Sequence, residues 1–229
     1  ARGAPLPEAL TPLMARISTR GVPVLQVYGS TETCPIAIYT RISGDLSRPE
    51  STGLAGLACE AKVIGEDGRE AAPDVIGEIA VRGPNVFFEY WGNAEATRAA
   101  LHDGWFRTGD LASRSADGYF TVRDRKTDMI ISGGENIYPA EVERVLLEHP
   151  DVADAGVVGR PDPRWQEVAV AYVMLRTGCA CDAEVLKAHV AAQLARFKVP
   201  REVVFVDQLP RTALGKVQHF VLRRDASSC

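Results

Sequence analysis

Five consecutive residues near the start of the sequence combine side chains that suit a phosphorylated ligand. These residues are Tyr28, Gly29, Ser30, Thr31 and Glu32. Tyr28 offers a flat face for a base, and Gly29 permits close approach of the backbone. The oxygens of Thr31 and Glu32 suit a phosphate and a Mg²⁺ ion, because hard cations take oxygen ligands. A polar loop without a ligand is the alternative interpretation of these residues alone.

Two further segments place one charged side chain directly after a glycine. Asp110 follows Gly109 at the start of a predicted hairpin, from which its carboxylate can accept both hydroxyls of a ribose. A turn aspartate that bonds only to nearby backbone amides explains the residue equally well. Lys216 follows Gly215 on a loop near the end of the sequence, where a solvated lysine is the ordinary explanation. Neither residue identifies a function by itself.

The stretch from Asp124 to Pro139 is the most unusual part of the sequence. It joins a basic cluster to an apolar strand, a double glycine and a polar loop that opens a helix. A linker followed by a glycine turn explains Gly133 and Gly134 but not the whole order. Because residues 124–128 are polar and lie between apolar strands, we predict a domain boundary there.

The elements that must position these residues follow two patterns. A predicted helix over 7–20 and an apolar run over 22–27, typical of a buried parallel strand, indicate the end of a large layered α/β domain. Short alternating strands between about 55 and 123, separated by Asp-Gly turns, predict a small antiparallel β-barrel-like subdomain. We therefore assign residues 1–124 to a large domain.

The remainder, residues 125–229, predicts a small α+β C-terminal domain. Pro139 suits the first position of a helix whose buried face carries Val142, Val145 and Leu146. Asp182 suits the N-cap of a second helix that buries Leu186, Val190 and Leu194. Three apolar runs predict the strands, at 154–158, 168–175 and 203–206.

Composition excludes several functional classes. A chain of 229 residues that is 46% hydrophobic and 24% charged is typical of a globular protein, and the net charge of −4 gives no general attraction to nucleic acid. No apolar stretch reaches the roughly 20 residues of a membrane span, so we expect a cytoplasmic protein. The five cysteines are interpreted as buried or incidental thiols, since the spacing of Cys179 and Cys181 is not that of a zinc pair.

The separate signals occur in one order, and in that order the chain resembles a known superfamily from end to end. This superfamily comprises acyl-CoA synthetases, firefly-type luciferases and nonribosomal-peptide adenylation domains. The matching segments are Gly3 to Pro7, Tyr28 to Glu32, Gly77 to Gly83, Arg107 to Leu111, Asp124 to Glu143 and the loop of Lys216.

The resemblance implies a nucleotide site for ATP and Mg²⁺. In the family, the residue at the position of Tyr28 stacks on adenine, and the loop through Gly29 and Ser30 binds the nucleotide. The position of Thr31 touches phosphate, and that of Glu32 binds Mg²⁺. Asp110 corresponds to the residue that holds the ribose hydroxyls, and Arg125 to one that contacts the nucleotide. Lys216 corresponds to the lysine that bridges the acid's carboxylate and the α-phosphate during adenylation.

The resemblance also implies a coenzyme A site and a hinge. The positions of Gly133 and Gly134 line the pantetheine tunnel, and those of Trp165, Phe197 and Arg201 meet CoA in ligases of the benzoate type. The hinge falls on Thr127, where the family usually carries Asp or Lys. This departure affects the expected behaviour of the hinge and not the fold.

The resulting hypothesis is an acid–CoA ligase, that is, an acid-thiol ligase. With ATP it converts a carboxylic acid to an acyl-adenylate, then transfers the acyl group to CoA and releases AMP and pyrophosphate. Two alternatives stay open, namely a stand-alone adenylation enzyme that loads a carrier protein and a non-catalytic remnant of the fold. Val27, before Tyr28, argues against a dicarboxylate substrate, and aromatic and aliphatic acids stay open.

We also expect the sequence to begin inside the large domain, because the glycine-, serine- and threonine-rich ATP loop of the family lies upstream of residue 1. The missing N-terminal part of the same enzyme would then be a required partner, and the chain by itself would be inactive. A homodimer is compatible with the sequence.

Overall fold

The computed structural model describes residues 25–40, 48, 50–213 and 215–227. Its contacts divide the chain into two compact units, Ala1–Lys126 and Thr127–Cys229. The helix predicted over 7–20 and the start of the strand predicted over 22–27 lie outside the described residues. None of the described helices is both long enough and apolar enough to cross a membrane.

The described part of the first unit begins with a three-stranded antiparallel sheet. Its strands are β1 (Val27–Tyr28), β2 (Ile38–Tyr39) and β3 (Leu54–Ala55). β1 pairs antiparallel with β2, and Val27 is 46% exposed. The expectation of a buried parallel strand is therefore wrong for this described end. A 3₁₀ turn at Thr31–Thr33 returns the chain within a few residues, which permits only an antiparallel partner.

A second antiparallel sheet of five strands completes the first unit. Its strands are β4 (Glu60–Ile64), β5 (Gly77–Arg82), β6 (Leu101–His102), β7 (Trp105–Arg114) and β8 (Phe120–Arg125). β4 pairs with β5 and β5 with β7, whose other edge is shared by β6 and β8. Among the described strands this order gives an open sheet, so the expected barrel-like subdomain is corrected to an open sheet.

The local turn chemistry explains the hairpin of β7 and β8. Gly118 has a φ of +91°, which glycine adopts at little cost, and its N–H donates to the carbonyl of Ser115 at 2.9 Å. The predicted hairpin around Asp117-Gly118 is thus confirmed. Both sheets contribute to one core, in which Ile38, Ile79 and Phe120 are among the most deeply buried side chains.

Helix α1 (Ala94–Ala100) precedes β6 and was not predicted. None of its residues is fully buried, so the sequence lacks the apolar periodicity that marks a helix packed on a core. The helix begins at Asn93, whose side chain accepts a hydrogen bond from the N–H of Ala96 at 3.0 Å.

The described residues of the second unit form one mixed sheet and three α-helices. The strands are β9 (Ile130–Ser132), β10 (Glu135–Ile137), β11 (Val152–Asp162), β12 (Gln166–Leu175) and β13 (Glu202–Phe205). The helices are α2 (Pro139–Leu147), α3 (Ala183–Gln193) and α4 (His219–Ala226). β12 pairs antiparallel with β11 and β9 and parallel with β13. A mixed α/β fold is therefore confirmed at this level.

Both predicted helices of this unit are confirmed. Pro139 is the first residue of α2, and Asp182 caps α3 by accepting from the N–H of Glu184 at 2.9 Å. The sheet buries both faces because β12 alternates between two cores. Ala169, Ala171 and Val173 belong to the core under α2 and α3, whereas the residues between them face the core of α4. This double burial explains the continuous apolar run in the sequence.

Helix α2 offers a direct test of this packing, because Leu146 is fully buried and its neighbour Leu147 is 44% exposed. We expect Leu146→Ala to lower the free energy of unfolding by about 2–5 kcal/mol through the lost contacts and the cavity it leaves. Leu147→Ala is the matched control and should change it by no more than about 0.5 kcal/mol. Denaturant unfolding followed by circular dichroism measures both; equal losses would contradict this orientation of the helix.

Candidate functional site

Asp110 lies in a β-bulge between β5 and β7. Glu78 pairs with Leu111 and Ala80 pairs with Arg107, so residues 108–110 lie opposite the single residue Ile79. Gly109 takes a φ of +71° within the bulge. The hydroxyl of Thr108 donates to the carbonyl of Ile79 at 3.0 Å. Such insertions turn a side chain out of the regular alternation of a strand and are common beside binding sites.

The bulge brings Asp110 together with two other predicted site residues. The hydroxyl of Tyr28 donates to Oδ2 of Asp110 at 2.7 Å, and Nε of Arg125 contacts Oδ1 at 2.7 Å. The Asp110 side chain is 13% exposed and that of Arg125 is 32% exposed. Tyr28 belongs to β1, and Arg125 lies directly opposite Asp110 on the neighbouring strand β8, so both described partners are side chains of other strands and not local backbone amides. An ionised carboxylate has about four acceptor positions, so these bonds and bonds from ribose hydroxyls do not exclude each other.

Glu78 is a supporting residue that the sequence analysis missed. Its Oε1 accepts from the N–H of Gly109 at 3.0 Å, inside the bulge. Its Oε2 contacts Nζ of Lys126 at 3.2 Å and Nε of Arg107 at 3.3 Å. The signal was present in the sequence as a carboxylate among the otherwise apolar residues 77–81, all of which the structure buries. A buried acid is normally paired, so this position predicts a charged partner.

The loop after Tyr28 is shaped by tight backbone contacts. A side chain at Gly29 would collide with the carbonyl of Pro35, which explains the glycine by packing as well as by ligand approach. The N–H of Ser30 donates to the hydroxyl of buried Thr33 at 2.8 Å. Thr31 lies exposed at the start of the 3₁₀ turn. The loop therefore presents Thr31 on a fixed backbone.

Glu32, on the same turn, is oriented by a second segment of the unit. Its Oε1 accepts from the hydroxyl of Tyr90 at 3.0 Å, and its backbone carbonyl accepts from the N–H of Phe87 at 2.9 Å. Tyr90 is another residue that the sequence analysis did not single out. The carboxylate of Glu32 and the neighbouring hydroxyl offer oxygen atoms only, the ligand type that Mg²⁺ prefers. One protein carboxylate is enough where substrate phosphates supply further ligands.

In the second unit the structure brings Gly133 and Trp165 together. The N–H of Gly133 donates to the carbonyl of Trp165 at 2.8 Å. A Cβ at Gly133 would approach Cε3 of Trp165 to 2.8 Å, so glycine is needed for the ring to lie there. Gly134 has a φ of +86° and no atom within 4 Å of a Cβ position. Gly133 is thus packed closely against Trp165, whereas the space beside Gly134 is open.

Arg201 and Phe197 occupy the same unit as Trp165. The N–H groups of Arg164 and Trp165 donate to Asp162 and lower the pKa of its carboxyl, and the nearby positive charge of Arg201 lowers it further. Arg201 therefore lies near the turn that carries Trp165. Phe197 is 39% exposed, and no contact among the described residues joins its ring to Trp165.

The loop of Lys216 is anchored to strand β11. Arg211 forms a bidentate pair with Asp154, with distances of 2.9 Å from Nε to Oδ2 and 2.6 Å from its terminal nitrogen to Oδ1. The N–H of Thr212 donates to the carbonyl of Lys216 at 2.8 Å, and Gly215 turns the chain with a φ of +80°. The backbone of Lys216 is therefore fixed by a closed turn. Thr127 is the first residue of the second unit.

Comparison with family models adds an independent finding. The model for AMP-binding enzymes matches residues 1–91, and the model for the AMP-binding enzyme C-terminal domain matches residues 141–216. The two matches follow the order in which the two compact units occur.

Curated relatives and solved structures agree with the family models. The chain is 50% identical to an indoleacetate–CoA ligase from Aromatoleum aromaticum, over 90% of the chain and 40% of that protein. It is 44% identical to a 2-succinylbenzoate–CoA ligase from Geobacillus kaustophilus, over 97% of the chain and 44% of that protein. The chain thus spans less than half the length of these relatives.

Among solved structures, the fold is similar to that of o-succinylbenzoate CoA synthetase from Bacillus subtilis in complex with its acyl-adenylate intermediate. The TM-score is 0.87 at 40% identity, with 96% of the chain and 44% of that structure covered. The same enzyme in complex with ATP and a magnesium ion gives a TM-score of 0.84 at 40% identity, covering 95% of the chain and 44% of that structure.

The role of Glu78 in holding the bulge can be tested by stability. We expect Glu78→Ala to lower the free energy of unfolding by about 1–3 kcal/mol, because it leaves the N–H of Gly109 and the charge of Arg107 without their partner. Glu60→Ala is the matched control on the neighbouring strand, since Glu60 pairs with Arg82 at the solvent surface and should matter little. If both variants unfold alike in denaturant, Glu78 does not hold the bulge.

Proposed function

The chain belongs to the family of AMP-binding enzymes, and from this premise we propose that it is part of an acid–CoA ligase. The enzyme would use ATP to convert a carboxylic acid to an acyl-adenylate and then transfer the acyl group to the thiol of CoA. AMP and pyrophosphate would leave. The observation that carries the proposal is the group of Tyr28, Asp110 and Arg125, which the bulge draws together in a chain related to CoA ligases.

We assign the nucleotide to the first unit by the chemistry of these side chains. The carboxylate of Asp110, positioned by Tyr28 and Arg125, would accept the two ribose hydroxyls. Tyr28 would lie against the adenine ring. Gly29 and Ser30 would bring the backbone of the loop to the nucleotide, and the exposed hydroxyl of Thr31 would contact a phosphate.

Glu32 is the residue we propose for Mg²⁺, because its carboxylate is held in place by Tyr90 at 3.0 Å. Mg²⁺ bound there would neutralise charge on the phosphate oxygens of ATP. The residues around it would orient the phosphates.

Lys216 is the proposed catalytic cation of adenylation. Negative charge builds on the α-phosphate when the carboxylate attacks, and a lysine at that point stabilises the transition state more than the ground state. The pair of Arg211 and Asp154 anchors the loop of Lys216, and this supports the role. A lysine on an anchored loop loses less conformational freedom when it contacts the phosphate.

Coenzyme A is assigned to the second unit. The position at Gly134 is open and lies beside the contact between Gly133 and Trp165. This open position supports a path for the pantetheine arm of CoA. The indole of Trp165 and the ring of Phe197 would stack on the adenine of CoA, and Arg201 would pair with its phosphates. We propose Thr127 as the hinge on which the two half-reactions alternate, with domains at 1–124 and 125–229.

The acid is proposed to carry an aromatic ring. The names of the two curated relatives above specify indoleacetate and 2-succinylbenzoate, and both molecules combine an aromatic ring with a carboxylate. Release of pyrophosphate by the complete polypeptide that contains this sequence, with a panel of aryl and alkyl acids, tests this class. Loading of a carrier protein in place of CoA would favour an adenylation enzyme instead.

Lys216→Ala in that complete polypeptide should depress acyl-adenylate formation by at least about 10²-fold, because the charge on the α-phosphate loses its stabilising cation. Thioester formation from supplied acyl-adenylate should stay nearly intact. Lys187→Ala is the matched control, since Lys187 pairs with Glu184 on the surface of α3. Pyrophosphate release and CoA-thioester formation are measured separately; an equal loss in both half-reactions would refute the assignment of Lys216.

Gly134→Leu should have the reverse effect, sparing adenylation and blocking transfer to CoA, because the side chain would fill the proposed path. Gly178→Leu is the control, since both glycines are left-handed and neither has an atom within 4 Å of its Cβ position. The two substitutions therefore cause comparable backbone strain, and they differ only in where the new leucine side chain lies. Normal thioester formation by Gly134→Leu would show that the glycine serves only a turn.

A further inference from the structure

One group of side chains in the second unit has metal-ligand chemistry and is separate from the residues discussed so far. His149, Asp151 and Cys181 place a nitrogen, a carboxylate oxygen and a sulfur within 4.8 Å of one another. Each is partly buried. All four cysteines that the structure describes are free thiols, and none is fully buried, so of the two expectations for them, buried or incidental, burial does not hold.

The fold brings these residues together by joining two loops. The first follows α2 and carries His149 and Asp151; the second follows β12 and carries Cys181. The N–H of Arg176 donates to the carbonyl of Asp151 at 2.8 Å, and its Nε donates to the carbonyl of Pro150 at 2.9 Å. The loops are therefore held by bonds from Arg176 to backbone carbonyls, and these bonds do not depend on the side chains of the group.

His149 lies against Asp151 in this group. The N–H of Asp151 donates to Nδ1 of His149 at 3.3 Å, and a metal ion bound at Nδ1 would replace this long hydrogen bond. The same Nδ1 is 4.0 Å from Oδ2 of Asp151. The ring is 12% exposed and packs edge-to-face on His189, whose Nε2 bonds the carbonyl of Val145 at 2.9 Å. This packing restricts rotation of the ring.

We propose that His149, Asp151 and Cys181 bind one Zn²⁺ ion, with a water molecule as the fourth ligand. Nitrogen, sulfur and one carboxylate oxygen form a donor set that zinc accepts in tetrahedral geometry. Hard cations such as Mg²⁺ and Ca²⁺ prefer oxygen ligands alone, so the nitrogen and the sulfur disfavour them. The ion would clamp the loop after α2 to the loop before α3. This site is independent of the proposed ligase function.

The test uses the reduced, metal-free 229-residue chain and Zn²⁺ itself, with Co²⁺ as a spectroscopic substitute. We expect one Zn²⁺ per chain, a rise in the melting temperature that a chelator reverses, and a cobalt–thiolate charge-transfer band. Cys181→Ser and His149→Gln should each weaken binding by at least about 10-fold, in line with the effects of perturbing metal sites. Cys34→Ser and His102→Gln are the controls, because these residues lie exposed in the first unit.

Three results would overturn the proposal. One is the absence of stoichiometric Zn²⁺ binding, and another is a cobalt spectrum without a thiolate band. The third is equal affinity in the Cys181→Ser and Cys34→Ser variants, which would locate the ion elsewhere. The melting temperatures of all variants in chelator identify any that fail to fold. If Cys181→Ser fails to fold, Asp151→Asn replaces it, and this variant must show the same loss of affinity for Zn²⁺.

Discussion

The first unit depends on the bulge that places residues 108–110 opposite Ile79. Without these extra residues, the strict alternation of β7 would determine the direction of every side chain. With them, Asp110 reaches both Tyr28 and Arg125, and Glu78 satisfies the N–H that the bulge exposes at Gly109. The bulge and the buried carboxylate of Glu78 thus act together, and they orient the candidate nucleotide-binding residues.

In the second unit the corresponding constraint is the double burial of β12. Its two sets of alternating side chains contact separate cores, so the strand cannot slip by one residue without exposing both. Its neighbour β11 carries Asp154, to which the loop of Lys216 is anchored, and the turn between them carries Trp165. The register of one hairpin therefore determines where residues from three different segments lie.

The sequence predicted those features that depend on local chemistry. Asp182 and Pro139 begin helices where capping and φ restriction indicate, and Asp117-Gly118 forms the expected turn. It did not predict helix α1, which buries no residue completely, or the bulge, which arises only when two strands pair. An open sheet replaced the expected barrel because closure depends on pairing between strands that are distant in sequence. The group of His149, Asp151 and Cys181 was missed for the same reason, because these residues come from two loops that only the fold brings together.

Each unit secures its candidate groups by contacts within that unit. Asp110 is held by Tyr28 and Arg125 in the first, and the loop of Lys216 by Arg211 and Asp154 in the second. Each local geometry is then independent of how the two units are related. The domain alternation that we propose would need this independence, because a change of orientation must move the candidate groups without loosening them. Polar anchors within each unit would meet this requirement.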